Sequence, residues 1–153
     1  LRDEYPDLVK SSAVAKVAAN AFLFDEFLVK QASEGKLDLK LDGGSKKVLL
    51  HGHCHQKAHV GTAPTLAALK LIPGCEVAEV NSGCCAMAGS FGFEREHYDI
   101  SEKIGRERLF PAVEAAGADT EIAVTGVSCR QQIGHFTARE PRHAIEILRD
   151  AVR

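Results

Sequence analysis

Three cysteine motifs, each placed where a strand-like run ends, constrain this chain more than any other feature. Lys47-Val48-Leu49-Leu50-His51 reads as a buried strand and runs out into Gly52-His53-Cys54-His55. Glu76-Val77-Ala78-Glu79-Val80 reads as a second and runs out into Asn81-Ser82-Gly83-Cys84-Cys85. Glu121-Ile122-Ala123-Val124-Thr125 reads as a third and runs out into Gly126-Val127-Ser128-Cys129. Short apolar runs bounded by glycine and small polar residues are strand signals.

The segments between these strands read as helices. Residues 63–71 carry Pro64 near their start, where its missing N–H costs nothing. Residues 94–116 form a longer stretch with Ile100, Ile104, Leu109 and Val113 along one side, and Pro111 is expected to end or bend it. Two more helices are expected around 130–137 and 143–152. This alternation predicts an α/β fold: a small, mostly parallel sheet with helices on both faces, Rossmann-like. The carboxyl ends of parallel strands share one edge, so the cysteines are expected to meet there.

Ahead of the sheet, Val14, Val17, Ala18, Ala21, Phe24 and Leu28 recur at helical spacing, predicting one helix over 11–31 capped by Ser11 or Ser12. The chain then turns polar, with a loop at Asp42-Gly43-Gly44-Ser45. We therefore expect a helical segment and linker over 1–44 and a cysteine-rich domain over 45–153. The start at Leu1-Arg2-Asp3-Glu4, without Met and charged from its second residue, reads as a fragment or processed chain with no signal peptide. A formal net charge of −2 supplies no basic field for nucleic acid. The apolar runs are too short to span a bilayer.

Five cysteines, one adjacent pair and no secretion signal argue against a disulfide framework. Thiolates are soft ligands that select zinc, copper(I) or iron–sulfur clusters. Four of them, Cys54, Cys84, Cys85 and Cys129, match either a tetrahedral zinc or a [4Fe–4S] cluster. The short C-x-x-C knuckles of structural zinc modules are missing, and adjacent cysteines suit separate irons better than one ion. Cys129 precedes a helical pattern whose amides would favour its thiolate, and Gly83, Gly89 and Gly92 allow close backbone approach. His53 and His55 flank Cys54 and are the alternative metal ligands. His51 reads as a packed core residue, Cys75 as a structural thiol at the opposite strand end, and His97, His135, Arg108 and Arg130 as surface residues. The glycine spacing does not match a phosphate-binding loop.

These motifs resemble a known family. His-Cys-His-Gln-Lys-Ala at 53–58, Asn-Ser-Gly-Cys-Cys-Ala-Met-Ala-Gly-Ser-Phe-Gly at 81–92 and Gly-Val-Ser-Cys-Arg-Gln-Gln-Ile at 126–133 are similar to the cysteine-rich CCG domain. That domain is shared by iron–sulfur subunits of glycolate oxidase, anaerobic glycerol-3-phosphate dehydrogenase and heterodisulfide reductase. The resemblance extends to fused proteins joining an FAD-linked oxidase to an iron–sulfur oxidoreductase, of D-lactate or D-2-hydroxyglutarate dehydrogenase type. It implies that this is a second CCG repeat, with Leu1–Leu8 the tail of a first. It implies a [4Fe–4S] cluster on the four cysteines and FAD on another part of the protein. The implied partners are the preceding repeat, ferredoxin-like and FAD-linked oxidase domains, and an electron acceptor. Two positions depart from the pattern. Cys129 is followed by Arg130, Gln131 and Gln132, where the family commonly closes Cys-x-x-Cys. Ala86 stands where glycine usually follows the pair, and its methyl is tolerable unless that residue needs a positive φ.

The expected function is an iron–sulfur electron-transfer domain of a larger dehydrogenase acting on D-2-hydroxy acids, cytoplasmic or peripheral on the inner membrane face. A zinc-bound structural or docking domain at the same cysteines, and a thiol/disulfide reductase cycling Cys84 and Cys85, are the rivals.

Overall fold

The computed structural model describes all 153 residues, and the chain divides into two compact units, Leu1–Leu37 and Asp38–Arg153. The first contains three short helices, α1 (Glu4–Leu8), α2 (Val14–Ala19) and α3 (Phe24–Ser33). The single helix expected over 11–31 is thus broken in two. Asn20 closes α2, its side-chain amide donating to the Lys16 carbonyl at 2.8 Å. Leu23 is extended, and its N–H is taken by the Glu26 carboxylate at 2.8 Å. Polar side chains that satisfy backbone groups locally compete with helix continuation, and apolar spacing alone does not register them.

The second unit runs β1 (Lys46–His51), α4 (Cys54–His59), α5 (Ala63–Leu69), β2 (Cys75–Glu79), a 3-10 turn (Phe91–Phe93), α6 (Tyr98–Ala115), β3 (Thr120–Val124), α7 (Val127–Phe136), β4 (Arg142–His143) and α8 (Ala144–Asp150). The strands form one sheet in the order β2-β1-β3-β4, parallel throughout. Strand β4 is only two residues long and carries no legible period. Residues 40–42 return along the carboxyl terminus, with Leu41 bridged antiparallel to Val152 and Asp42 N–H donating to the Ala151 carbonyl at 2.8 Å.

The register sorts the core. Leu49 lies opposite Ile122 and His51 opposite Val124, so these four share a face. Ile122 and Val124 there join Val80, Cys85, Met87, Leu109, Phe110, Val113, Cys129 and Ile133 in one buried cluster. Val48, Leu50 and Ala123 are buried on the other face. Helix α5 packs on α8, and α6 on α7. Right-handed crossovers set these two pairs on opposite sides of the sheet.

Helix α6 corrects the expected row of side chains and decides against an end at Pro111. Its buried row is Ser101, Gly105, Leu109, Phe110 and Val113, while Ile100 and Ile104 are 48% and 39% exposed. Pro111 does not end the helix, which continues to Ala115. Leu109, Phe110 and Val113 are buried on both sides of the proline. Burial at ~1.5–3 kcal/mol per large apolar side chain outweighs the ~3 kcal/mol of an interior proline. No helix is long and apolar enough to cross a membrane.

The chain passes from β1 to one neighbour, β2, and then returns across it to the other, β3. The crevice between the carboxyl ends of β1 and β3 is therefore a topological switch point, where open α/β sheets bind ligands.

Gly105 tests the packing of α6. A Cβ there would stand 2.2 Å from the Phe110 ring, which is fully buried and has no space to swing into. Glycine to alanine inside an exposed helix stabilises by roughly 1 kcal/mol. Here the overpacking, about 1–3 kcal/mol, reverses the sign. Gly105→Ala is expected to lower the urea midpoint at unchanged m-value, and a raised midpoint would show that Phe110 yields.

Candidate metal centre

Each cysteine loop is held by its neighbours. After β1 the chain stays extended through His53, whose N–H donates to Thr125 Oγ1 at 2.9 Å, tying this loop to the end of β3. The His53 ring lies on Gly126, where any Cβ would stand 2.4 Å from Cδ2, so this crossing requires glycine. Cys54 then opens α4 and is exposed. Lys57, one turn on, donates to the Ser82 carbonyl at 2.9 Å and pairs with Glu79 at 3.4 Å, fastening α4 to the loop after β2. Cys129 does not precede α7 as expected but sits inside its first turn, fully buried.

The loop carrying Cys84 and Cys85 has an unusual backbone. Ala86 has φ +68° and Ala88 φ +40°, followed by Gly89 at +71°. The alanine after the pair thus occupies the left-handed region, which costs a non-glycine residue roughly 1–2 kcal/mol. A buried hydrogen-bond relay supports it. Gln132 Nε2 donates to Ser101 Oγ at 2.6 Å, and Ser101 Oγ donates to the Ala86 carbonyl at 2.9 Å. Both side chains are almost wholly buried. Gln132 stands three residues after Cys129, where the resembling family has a further cysteine; here it braces the cysteine loop. A side chain at Gly92 would collide with Ser101 Oγ and Met87.

The structure brings all four cysteines of the three motifs together, as two pairs. Cys54 Sγ and Cys84 Sγ lie 3.7 Å apart at the outer side. Cys85 and Cys129 lie inside, buried, with His51, and the three donor atoms fall within 4.8 Å of one another. Cys85 is driven far down to a pKa of about 4, chiefly because the Cys129 thiol donates to it, against the opposing effect of burial; the Met87 N–H assists. Cys129 is pushed up as the other half of that hydrogen bond, with burial adding to it. The inner pair is therefore biased toward a thiolate on Cys85 and a thiol on Cys129. Cys84 is raised to about 11, mainly by burial, although the Ala86 N–H donates to its sulfur at 3.3 Å.

The remaining candidates fall elsewhere. His55 is exposed, its ring centre 4.4 Å from that of His59 and 6.4 Å from that of His53. Cys75 begins β2, at the far end of the sheet from the other four, with its thiol raised by burial. His135 hydrogen-bonds Tyr98 at 2.7 Å, and His97 stacks on Phe91. His51 is in the core as expected, but it also lies with the inner cysteines; Ser101 had no sequence signal, and Gln132 only its place where the resembling family has a cysteine.

The donor set fits a soft metal centre. Four sulfurs converge from three loops, and a buried imidazole nitrogen, His51 Nε2, has no hydrogen-bond partner. Two thiolates bonded at ~2.3 Å to one tetrahedral zinc stand about 3.8 Å apart, so the outer pair has single-ion spacing. A cubane bonds each thiolate to a different iron and needs these sulfurs further apart.

The chain is 35% identical over 153 residues to a component of the anaerobic glycerol-3-phosphate dehydrogenase of Escherichia coli K12, covering 99% of this chain and 37% of that protein. It is 26% identical over 152 residues to D-2-hydroxyglutarate dehydrogenase of Pantoea ananatis, covering 99% of this chain and 14% of that protein. With the D-2-hydroxyglutarate dehydrogenase of Pseudomonas putida it is 29% identical over 104 residues, 65% of this chain and 10% of that protein. The chain thus spans little more than a third of the first relative and far less of the others. No protein-family profile and no solved structure matches it. Both kinds of relative fit the CCG-domain, FAD-linked oxidase family that the motifs resemble.

The relay behind the cysteine loop is testable in the metal-free chain. Ser101→Ala leaves the Ala86 carbonyl and the Gln132 amide buried without their partner, at about 1–3 kcal/mol for each unsatisfied group. We expect a fall in stability of about 2 kcal/mol or more by urea titration, together with faster alkylation of Cys85 under native conditions. Unchanged Cys85 alkylation would separate the relay from the loop.

Proposed function

We propose, on the strength of relatives that fit the CCG-domain, FAD-linked oxidase family, that this chain is the cysteine-rich electron-transfer module of a larger flavin-linked dehydrogenase. The observation that carries this reading is the gathering of Cys54, Cys84, Cys85 and Cys129 at the carboxyl edge of the sheet by three loops distant in sequence. Those four residues would hold the group, a [4Fe–4S] cluster. Such a cluster supplies one-electron transfer at a potential set by hydrogen bonds to its sulfurs and by burial.

The chain's own residues prepare that site. A hydrogen bond from Cys129 biases Cys85 toward the thiolate, the form a ligating cysteine must take. The Ala86 and Met87 amides donate to the sulfurs of Cys84 and Cys85, the kind of contact that tunes a cluster. The burial of Cys85 and Cys129 keeps water from the inner half, while exposed Cys54 leaves an outer edge where a partner centre would approach.

The full protein would oxidise a D-2-hydroxy acid at FAD held outside this chain, with a preceding CCG repeat and ferredoxin-like domains as neighbours and a separate electron acceptor. Glycerol 3-phosphate, named in the relative with 35% identity, is the rival substrate. The chain spans only part of its dehydrogenase relatives, and by itself it is expected to lack dehydrogenase activity.

The 3.7 Å spacing of Cys54 and Cys84 favours a second reading, a single zinc ion in a structural or docking domain. Iron, zinc and acid-labile sulfide per chain, measured after anaerobic purification, distinguish the two. About four irons and four sulfides, lost in Cys85→Ser, are expected for the cluster; one zinc without sulfide would overturn electron transfer. Cys54, the exposed member, should alkylate first in the stripped chain and become protected on loading.

A further inference from the structure

Among the seven histidines, His51 alone is wholly buried and faces the inner cysteines. It ends β1, opposite Val124 on the face that carries Cys85 and Cys129. Its Nδ1 is engaged with Ser82 Oγ at 3.0 Å, in the loop that leads to Cys84. Its Nε2 is buried with no hydrogen-bond partner. A buried polar atom is ordinarily paired, and an unpaired one needs a reason. Metal-binding imidazoles characteristically commit one nitrogen to a hydrogen bond, which fixes ring and tautomer, and offer the other to the metal.

We infer that His51 is a nitrogen ligand of the centre, its Nε2 taking one position on the inner side beside Cys85 and Cys129 in place of one of the four cysteines. This rests on the metal-centre reading above and adds to it a residue outside the cysteine motifs. Ligation through Nε2 requires Nδ1–H to donate to Ser82 Oγ, the tautomer that leaves the lone pair on Nε2. The neighbouring histidines lack this setting. His53 lies on Gly126, and His55 is exposed against His59. Ser82 thereby becomes a positioning residue: it holds the ring that reaches the inner sulfurs, and its carbonyl is held in turn by Lys57.

The test uses the whole chain, loaded without oxygen either with iron and sulfide or with zinc, from cells fed ¹⁵N-histidine. In the reduced iron–sulfur form, pulsed EPR is expected to show a strongly coupled histidine nitrogen. In the zinc form, X-ray absorption is expected to show a nitrogen at about 2.0 Å beside sulfurs at about 2.3 Å. His51→Cys supplies a sulfur at the same place and should keep its metal while the nitrogen signal disappears. A loaded wild-type chain with sulfur ligands alone overturns the inference and leaves the electron-transfer reading standing, as does a nitrogen signal that survives His51→Cys. A chain that takes up neither iron–sulfur nor zinc overturns both together.

Discussion

Strand β1 is paired on both edges, to β2 from Lys46 to Leu50 and to β3 from Lys47 to His51, and both pairings are parallel. Every other feature of the site follows from that double pairing. Parallel strands end at one edge, so the loops after β1, β2 and β3 emerge side by side however far apart their residues lie in sequence. The register then settles which side chains face inward. With His51 opposite Val124, the last residue of β1 looks into the same layer as Cys85 and Cys129. A slip of one residue would turn His51 to the other face of the sheet.

The centre is asymmetric, and the asymmetry has an electrostatic cause. Cys85 and Cys129 are buried where an isolated thiolate is costly, yet Cys85 sits far below its ordinary range chiefly because the Cys129 thiol donates to it. Cys84 and Cys54 lie nearer solvent and face each other as a separate pair. A half-prepared inner side and an open outer side suit a group that must be held firmly and still be reached by a partner.

Strain is concentrated in the same place. Two alanines with positive φ follow the cysteine pair, and a buried glutamine and serine hold the first of them. A backbone conformation of this cost persists only when surrounding structure over-determines it, and such positions cluster at functional sites. The bracing comes from α6 and α7, so the helices on that face of the sheet set the loop's shape as well as covering the core.

The sequence by itself determined the architecture and the cysteine set. Apolar runs ending in Gly52-His53-Cys54, Gly83-Cys84-Cys85 and Val127-Ser128-Cys129 place three parallel strands and three converging loops, because a strand's period and its terminating glycines are local properties. The break at Asn20–Leu23 was not legible, and Pro111 left open whether α6 would end or bend, since local polar competition decided one and burial on both sides of the proline kept the helix going at the other. Only the tertiary structure decided the division into an inner and an outer cysteine pair, the left-handed backbone at Ala86, and the assembly of Ser101, Gln132 and His51 behind the site. Those depend on contacts between residues some thirty positions apart, such as Gln132 with Ser101. No short-range pattern encodes such a contact; the fold does, by bringing α6 and α7 together against the cysteine loop.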